Sequence, residues 1–313
     1  MAERDRKAIV IHGGAGAMNV ADPLDRYNLD AKMTCLQGFV DTGWEALSNG
    51  TNALTVAVNA IISLENAEPF NAGYGSAIGF NSDGNPLVSL DASIMMEDEA
   101  GYHFGGVTGI TIMQNPILAA KELMSRQTNL IHGEAANKLA YQTAMEYGVP
   151  LVDNETLMTE EKLIKFEQYK KGEGIHRPKE GGTVGVVVFD GKTIVAATST
   201  GGITGKDYGR TGDSAIPGAG TYADMTAGAS ATGFGEMILL HRTAGRAVTL
   251  VQNGRDPQRS ATSTVHELKE KFNGNGGIII ADNKGRVGVA TNTSHMPNAR
   301  MTWEMERPEV REK

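Results

Sequence analysis

A chain of 313 residues carries 29 Lys and Arg against 37 Asp and Glu, a formal charge of −8. With 40% hydrophobic and 21% charged residues it has the make-up of a globular protein with a substantial core, in one large domain or two small ones. The acidic balance argues against nucleic acid as the main partner, and the single cysteine, Cys35, excludes an intrachain disulfide or a multi-cysteine zinc site. No apolar run has the length of a membrane span and the N-terminal one is too short for a secretory signal, so the expected address is the cytoplasm. The 39 glycines cluster beside apolar runs, which predicts many tight turns and close backbone approaches in a sheet-rich fold.

Ala8–His12 reads as a short strand running into the turn Gly13-Gly14-Ala15-Gly16. Met33, Leu36, Val40, Trp44 and Leu47 recur at helical spacing, and Asn49-Gly50 ends that helix. Thr51 is placed to cap a second helix running to about Leu64. Pro69–Gly75 is a loop by its Pro and Gly content. Leu87–Met95 and His103–Met113 read as strands, followed by helices from about Pro116 to Arg126 and Glu134 to Tyr147. Between Glu160 and Glu180, 11 of 21 residues are charged, which marks a frayed helix leading into a flexible linker. After Gly181-Gly182 the chain turns strongly β: two apolar runs joined by Asp190-Gly191 form a hairpin. A long helix from about Gly235 to Val251, another near Ser260–Lys271 and a closing hairpin complete the chain. Antiparallel strands with helices in layers fit this order better than an alternating parallel fold.

With a two-residue loop at Asp190-Gly191, Phe189 faces Lys192 and Thr183 lies opposite Thr198. Thr200 is then one diagonal step away on the same face. Three threonines on one strand face are commonly a packing ladder, since threonine favours strands. Thr183, however, opens its strand directly after a charged linker. Cutting the Gly182–Thr183 bond would free it as an N-terminus whose own amine, with an ordinary pKa of about 7.7–8.0, can activate the hydroxyl.

An ordered set of motifs accompanies this threonine. HGGAGA (His12–Ala17), PFNAG (Pro69–Gly73), LDASIM (Leu90–Met95), GTVG (Gly182–Gly185) and TSTGG (Thr198–Gly202) come first. GRTGDS around Arg210, PGAGTYAD (Pro217–Asp224) and ATGFGE (Ala231–Glu236) follow. From about residue 8 to residue 300 the chain resembles the plant-type L-asparaginases, or isoaspartyl peptidases, of the N-terminal-nucleophile hydrolases. The resemblance implies an α+β fold, a four-layer αββα sandwich of two mainly antiparallel sheets flanked by helices. It also implies a precursor that cuts itself between Gly182 and Thr183. The products would be an α subunit, 1–182, with its linker at about 153–182, and a β subunit, 183–313, pairing as (αβ)2. The implied substrate is a small molecule, L-asparagine or a β-aspartyl dipeptide, with no nucleic acid or membrane partner.

The same resemblance implies roles by position. Thr183 would be the nucleophile, Thr200 its hydrogen-bond partner, and Thr232 with Gly233 the oxyanion hole. Arg210 would clamp the substrate carboxylate, Asp213 with the Gly235 backbone would hold its ammonium, and Asn71 would help position Thr183 or the substrate. No cofactor is implied for catalysis. A structural sodium ion would bind the carbonyls of Leu64, Glu65, Ala67, Phe70, Ala72 and Tyr74. His12 is expected to anchor its turn, and His295 has no expected role. Gly205-Lys206 stands where many of the enzymes it resembles have Asn-Lys, and Phe234 where they vary, departures that the resemblance links to substrate selection. A glycosylasparaginase-like amidase and a non-processing relative are the competing readings. The first is disfavoured by Gly182 and Gly201, where such enzymes carry Asp and Asn. A nucleotide-binding loop fails because Asn19 stands where its third glycine is needed.

Overall fold

The computed structural model describes residues 6–18, 20–173 and 180–313, so only the 174–179 part of the linker expected at about 153–182 lies outside the described residues. The first half contains β1 (Ala8–His12), β2 (Ala15–Gly16), α1 (Pro23–Ser48), α2 (Ala53–Asn66), β3 (Gly79–Phe80), β4 (Pro86–Leu87), β5 (Leu90–Asp98) and β6 (Gly101–Ile110). It continues through α3 (Pro116–Leu123), β7 (Leu130–His132), α4 (Gly133–Tyr147), a 3-10 turn and α5 (Glu160–Lys170). The second half contains β8 (Glu180–Gly181), β9 (Thr183–Phe189), β10 (Ile194–Thr200), β11 (Thr221–Ala223), β12 (Ala227–Gly233), α6 (Gly235–His241), α7 (Thr243–Gln252) and α8 (Pro257–Phe272). It closes with β13 (Gly276–Asp282), β14 (Val287–Thr291), β15 (Asn298–Thr302) and β16 (Glu309–Arg311).

These strands build an eight-stranded sheet in the order β16-β15-β1-β9-β10-β5-β6-β7 and a four-stranded sheet β11-β12-β13-β14. All pairings in both are antiparallel except β6 with β7. The alternation along β9 explains the layering. Val184, Val186 and Val188 point into an apolar cluster with α1 to α4, while Val187 and Phe189 point to Ile279 and Ala281 of the smaller sheet. The far face of the smaller sheet packs Ala229, Ile278 and Ile280 against Ile238, Val248 and Leu268 of α6 to α8. Four layers, αββα, follow, as expected. Each fully buried Val or Ile in them contributes roughly 1.5–3 kcal/mol relative to exposure.

Several local expectations are corrected. The second helix is capped by Asn52, whose side chain accepts from the Thr55 amide at 2.9 Å, rather than by Thr51. The expected frayed segment forms the regular helix α5. Thr159 caps it, and the buried Phe166 packs on Phe80 with ring centroids 5.1 Å apart. The helix expected over Gly235–Val251 is two helices, because Arg242 adopts φ 57° and donates its amide to the Ile238 and Leu239 carbonyls.

The central hairpin differs most. Asp190 Oδ1 accepts the amides of Lys192 and Thr193, at 2.9 and 2.8 Å, and its Oδ2 accepts that of Ala53 at 2.8 Å. Its carboxylate therefore organises a four-residue connection, and Ile194, not Lys192, pairs with Phe189. Thr183 lies directly opposite Thr200, and Thr198 lies opposite Gly185.

Candidate active site at the head of the central hairpin

Thr183 is the first residue of β9 and is 5% exposed; Thr200 is the last of β10 and is 3% exposed. The Thr183 hydroxyl donates to Thr200 Oγ1 at 3.3 Å, and Thr200 Oγ1 also accepts the Gly202 amide at 3.0 Å. The peptide link before Thr183 runs close under the first glycine turn. A Cβ on Gly14, which sits at φ 99°, would fall 2.9 Å from Gly182 Cα and 3.2 Å from the Thr183 nitrogen. Gly182 borders a cleft of about 750 Å³, open mouth included, with Gly14, Gly16, Asn71, Thr204 and His295. Arg210, Asp213 and Gly235 are not part of its lining.

Asn71 bridges the two halves of the site. Its amide donates to the Gly202 carbonyl at 2.7 Å and its Oδ1 accepts the Ala77 amide at 2.7 Å. Gly201 passes between Asn71 and Ser76, where a Cβ would lie 2.4 Å from Ser76 Cβ. An asparagine at that position would not fit without movement.

On the smaller sheet, Thr232 is fully buried and its Oγ1 accepts the Ala15 amide at 3.1 Å, leaving its own proton to donate elsewhere. Gly233 follows at φ 141°, where a Cβ would lie 2.3 Å from the Asn275 carbonyl. Behind the threonine pair, His12 Nε2 bonds Ser230 Oγ at 3.0 Å, and Ser230 bonds Thr198 at 2.8 Å. Burial pushes the His12 imidazole down to about 3, against an opposing backbone contact at Thr183, so it is neutral. Rather than anchoring its own turn, as expected, the imidazole ties β1 to Ser230 of the smaller sheet, and its Nδ1 is buried without a hydrogen-bond partner. The His295 backbone pairs with Gly16.

The charged residues gather beside the hairpin end. Arg210 donates from Nε and Nη2 to Glu236 Oε1, at 3.1 and 2.9 Å. Its outer edge faces glycines: Nη2 lies 2.9 Å from where a Gly235 Cβ would stand, and Nη1 lies 3.0 Å from that of Gly212. Asp213 Oδ1 lies 2.7 Å from the same Gly235 position, and Oδ2 is buried without a hydrogen-bond partner. Burial pushes the Asp213 carboxyl up to about 7. Its own amide and Arg210 oppose that shift, while Glu236 and Asp91 add to it. The motif spacing thus brings together Thr183, Thr200, Arg210, Asp213 and Gly235. The sequence assigned nothing to Glu236 beyond its motif and linked Lys206 only to substrate selection, although both are close to Arg210.

The loop after α2 wraps back on itself. The Tyr74 amide donates to the Glu65 carbonyl at 2.8 Å, that of Ala67 to Leu64 at 3.3 Å and that of Phe70 to Ala67 at 3.2 Å. Gly73, at φ 54°, comes so close that a Cβ would lie 2.4 Å from the Glu65 carbonyl oxygen. Each of these three carbonyls keeps a second lone pair, so the donor set fits a hard cation held by backbone oxygens. The Glu65 side chain is fully buried and accepts from Ser199, Asn115 and the Ile117 amide. Burial outweighs those bonds and pushes its carboxyl up to about 8.

Residues 5–307 match the asparaginase family. The chain belongs to that family. It is 36% identical over 322 residues to a plant-type L-asparaginase of Thermococcus kodakarensis, covering 97% of this chain and 99% of that protein. It is 38% identical to the Pyrococcus abyssi protein of the same description, with the same coverage. An isoaspartyl peptidase/L-asparaginase of Mus musculus is 35% identical over 298 residues, covering 92% of this chain and 86% of its own length. Among the described residues of this asparaginase-family chain, no helix is long and apolar enough to cross a membrane.

Proposed function

We propose that this chain is a self-processing threonine amidohydrolase that cleaves L-asparagine to aspartate and ammonia and hydrolyses β-aspartyl dipeptides. The observation that carries the reading is the Thr183 hydroxyl at the head of β9, bonded to Thr200 while the Gly182–Thr183 peptide lies under Gly14. In processing, Thr183 Oγ attacks the Gly182 carbonyl carbon, the C–N bond breaks as the acyl group moves from N to O, and water hydrolyses the ester. The freed α-amine of Thr183 then accepts the hydroxyl proton as Oγ attacks the substrate side-chain amide. Ammonia, or the amine of the second residue, leaves with that proton. Water hydrolyses the β-aspartyl ester.

Thr232 and the Gly233 backbone stabilise the tetrahedral oxyanion, and Thr200 holds Thr183 Oγ in line. The outer edge of Arg210 takes the substrate α-carboxylate while Glu236 holds its inner edge. Asp213 and the Gly235 backbone take the ammonium. The carbonyls of Leu64, Glu65, Ala67, Phe70, Ala72 and Tyr74 would hold a sodium ion whose part is structural. The processed subunits pair as (αβ)2, which native mass spectrometry would read as roughly twice 33.2 kDa. A glycosylasparaginase-like reading is not favoured, because Gly201 has no room for a side chain beside Ser76.

Intact mass of the purified protein under denaturing conditions, after incubation at neutral pH, tests the reading. It expects fragments of roughly 19 and 14 kDa from 33.2 kDa, the smaller beginning at Thr183, and neither cleavage nor hydrolysis in Thr183→Ala. Full hydrolysis by that variant would sink the assignment.

A further inference from the structure

The registers of three adjacent strands put Thr183, Thr200 and Asp91 in one row, since Thr200 pairs with Thr183 on one side and with Asp91 on the other. Period-two alternation points all three side chains to the same face of the large sheet. Two residues along the same strands, Thr198 and Ser93 both bond Thr221 of the smaller sheet, so this is the face between the sheets.

Asp91 is placed there by a β-bulge. The β5–β6 register passes from Leu90 opposite Ile110 to Ala92 opposite Val107, so Asp91 alone faces Thr108 and Gly109. Gly109 takes φ 73°, and its amide donates to Asp91 Oδ1 at 3.0 Å. Bulges beside functional sites re-aim a side chain, and this one fixes one carboxylate oxygen while directing the other inward. Asp91 is 1% exposed, and Oδ2 is buried with no hydrogen-bond partner.

Lys206 supplies the matching charge. It is 4% exposed, donates to the Ser89 carbonyl at 2.6 Å, and has two further ammonium protons to give. Burial lowers its pKa, and Asp91 is the group that opposes this. Its Nζ lies 2.9 Å from where a Gly202 Cβ would stand, and the Gly202 amide is the donor that fixes Thr200 Oγ1. Thr200 Oγ1 accepts two bonds, from Gly202 and Thr183, so its own proton must point elsewhere in a row whose next member is Asp91.

We propose that Asp91, with Lys206 as its counter-ion, is a positioning residue for the threonine pair. With no hydrogen bond between them in this structure, the Asp91 charge acts through space: it turns the Thr200 proton away from Thr183, so the lone pairs of Thr200 face the Thr183 hydroxyl. Lys206 balances the buried carboxylate and braces the Gly202 turn. This rests on the hydrolase reading above.

The two roles make opposite electrostatic predictions for the freed Thr183 amine. A nearby carboxylate favours the ammonium form, and a nearby ammonium disfavours it. The other charged groups around the row are Arg210 and Asp213 on the loop after β10 and Glu236 on α6. His12 on β1 is neutral, and Glu65 on α2 faces the opposite side of the sheet.

The experiment compares wild type, Asp91→Asn, Lys206→Met and the double variant by cleavage rate, kcat, KM and the pH profile of kcat/KM. Asp91→Asn is expected to slow cleavage and lower kcat by about tenfold or more, with KM for L-asparagine within about threefold. The acid limb of the pH profile should move down in Asp91→Asn and up in Lys206→Met, by about one pH unit each. The double variant should recover thermal stability without recovering rate. If Asp91→Asn does not accumulate folded, the direction of the Lys206→Met limb decides alone. A folded Asp91→Asn enzyme with wild-type kcat and pH profile would overturn the inference, as would limbs that move the same way in both variants. Wild type that neither cleaves nor hydrolyses would instead overturn the hydrolase reading, and this inference with it.

Discussion

Asp213→Asn isolates the electrostatic cost of a buried, unpartnered carboxylate. In the folded chain burial raises the Asp213 carboxyl from 3.8 to about 7, so between those values the native state holds a proton that the unfolded chain has lost. Native binding of the extra proton makes stability fall as pH rises through that window. At about 1.4 kcal/mol per unit, the full effect is about 4 kcal/mol above pH 7 and near zero at pH 4. Asparagine keeps the shape and carries no charge, so the variant should match wild type near pH 4 and gain steadily to pH 8. For a chain of this size about 1.5 °C accompanies each kcal/mol, so the gap in melting temperature should open to about 6 °C. Thermal unfolding of both proteins at half-unit pH steps would show it. The same variant should lose affinity for L-asparagine, whose ammonium is the cation Asp213 lacks. A melting-temperature difference that stays constant from pH 5 to pH 8 would mean Asp213 is already ionised at pH 5, and the desolvation argument would fail.

Gly185→Ala should destabilise by about 1–3 kcal/mol and stall self-cleavage, because its Cβ would lie 2.0 Å from Ser230 Oγ and 2.4 Å from His12 Nε2. Unchanged melting and cleavage would show that this polar layer can shift freely. Arg210→Ala should raise KM for L-asparagine by about 30-fold or more while the cleavage rate stays within about threefold, since processing carries no substrate carboxylate. An unchanged KM would remove Arg210 from the substrate site. If the loop after α2 holds sodium, melting temperature should climb with sodium chloride and not with tetramethylammonium chloride at equal ionic strength. An equal response to both salts would dismiss the ion.

What the sequence made legible was the side of each strand more than the partner across from it. Asp190-Gly191 resembles a two-residue turn, but the Asp190 carboxylate also caps α2 through the Ala53 amide, a contact 137 residues distant in sequence. The resulting slip moves the partner of Thr183 from Thr198 to Thr200. Because the slip is by two residues, every side chain keeps its face, which is why the threonine cluster was foreseen while its pairing was not. The break at Arg242 had no Gly or Pro to announce it. Likewise α5 is held by one buried aromatic in a charged stretch, a tertiary contact that composition does not reveal. Motif order located Arg210 and Asp213. The unpartnered second oxygens of Asp91, Asp213 and Glu236 emerge only when the strands and α6 converge.

Those three carboxylates face two cations, and the pairing among them explains how the site would select its ligand. Glu236 holds the inner edge of Arg210 in an ion pair, whereas Asp213 makes none among the described residues and feels Arg210 only as a charge too weak to offset its burial. A free carboxylate in so dry a place costs several kcal/mol unless protonated. A ligand with an ammonium one carbon from its carboxylate supplies the missing cation to Asp213 and meets the open edge of Arg210 in the same placement. Binding would therefore relieve a cost that the unliganded fold carries, and an analogue lacking the α-ammonium would leave that cost in place. Selectivity for an α-amino acid head then arises as much from the penalty of leaving Asp213 unanswered as from the strength of any single contact.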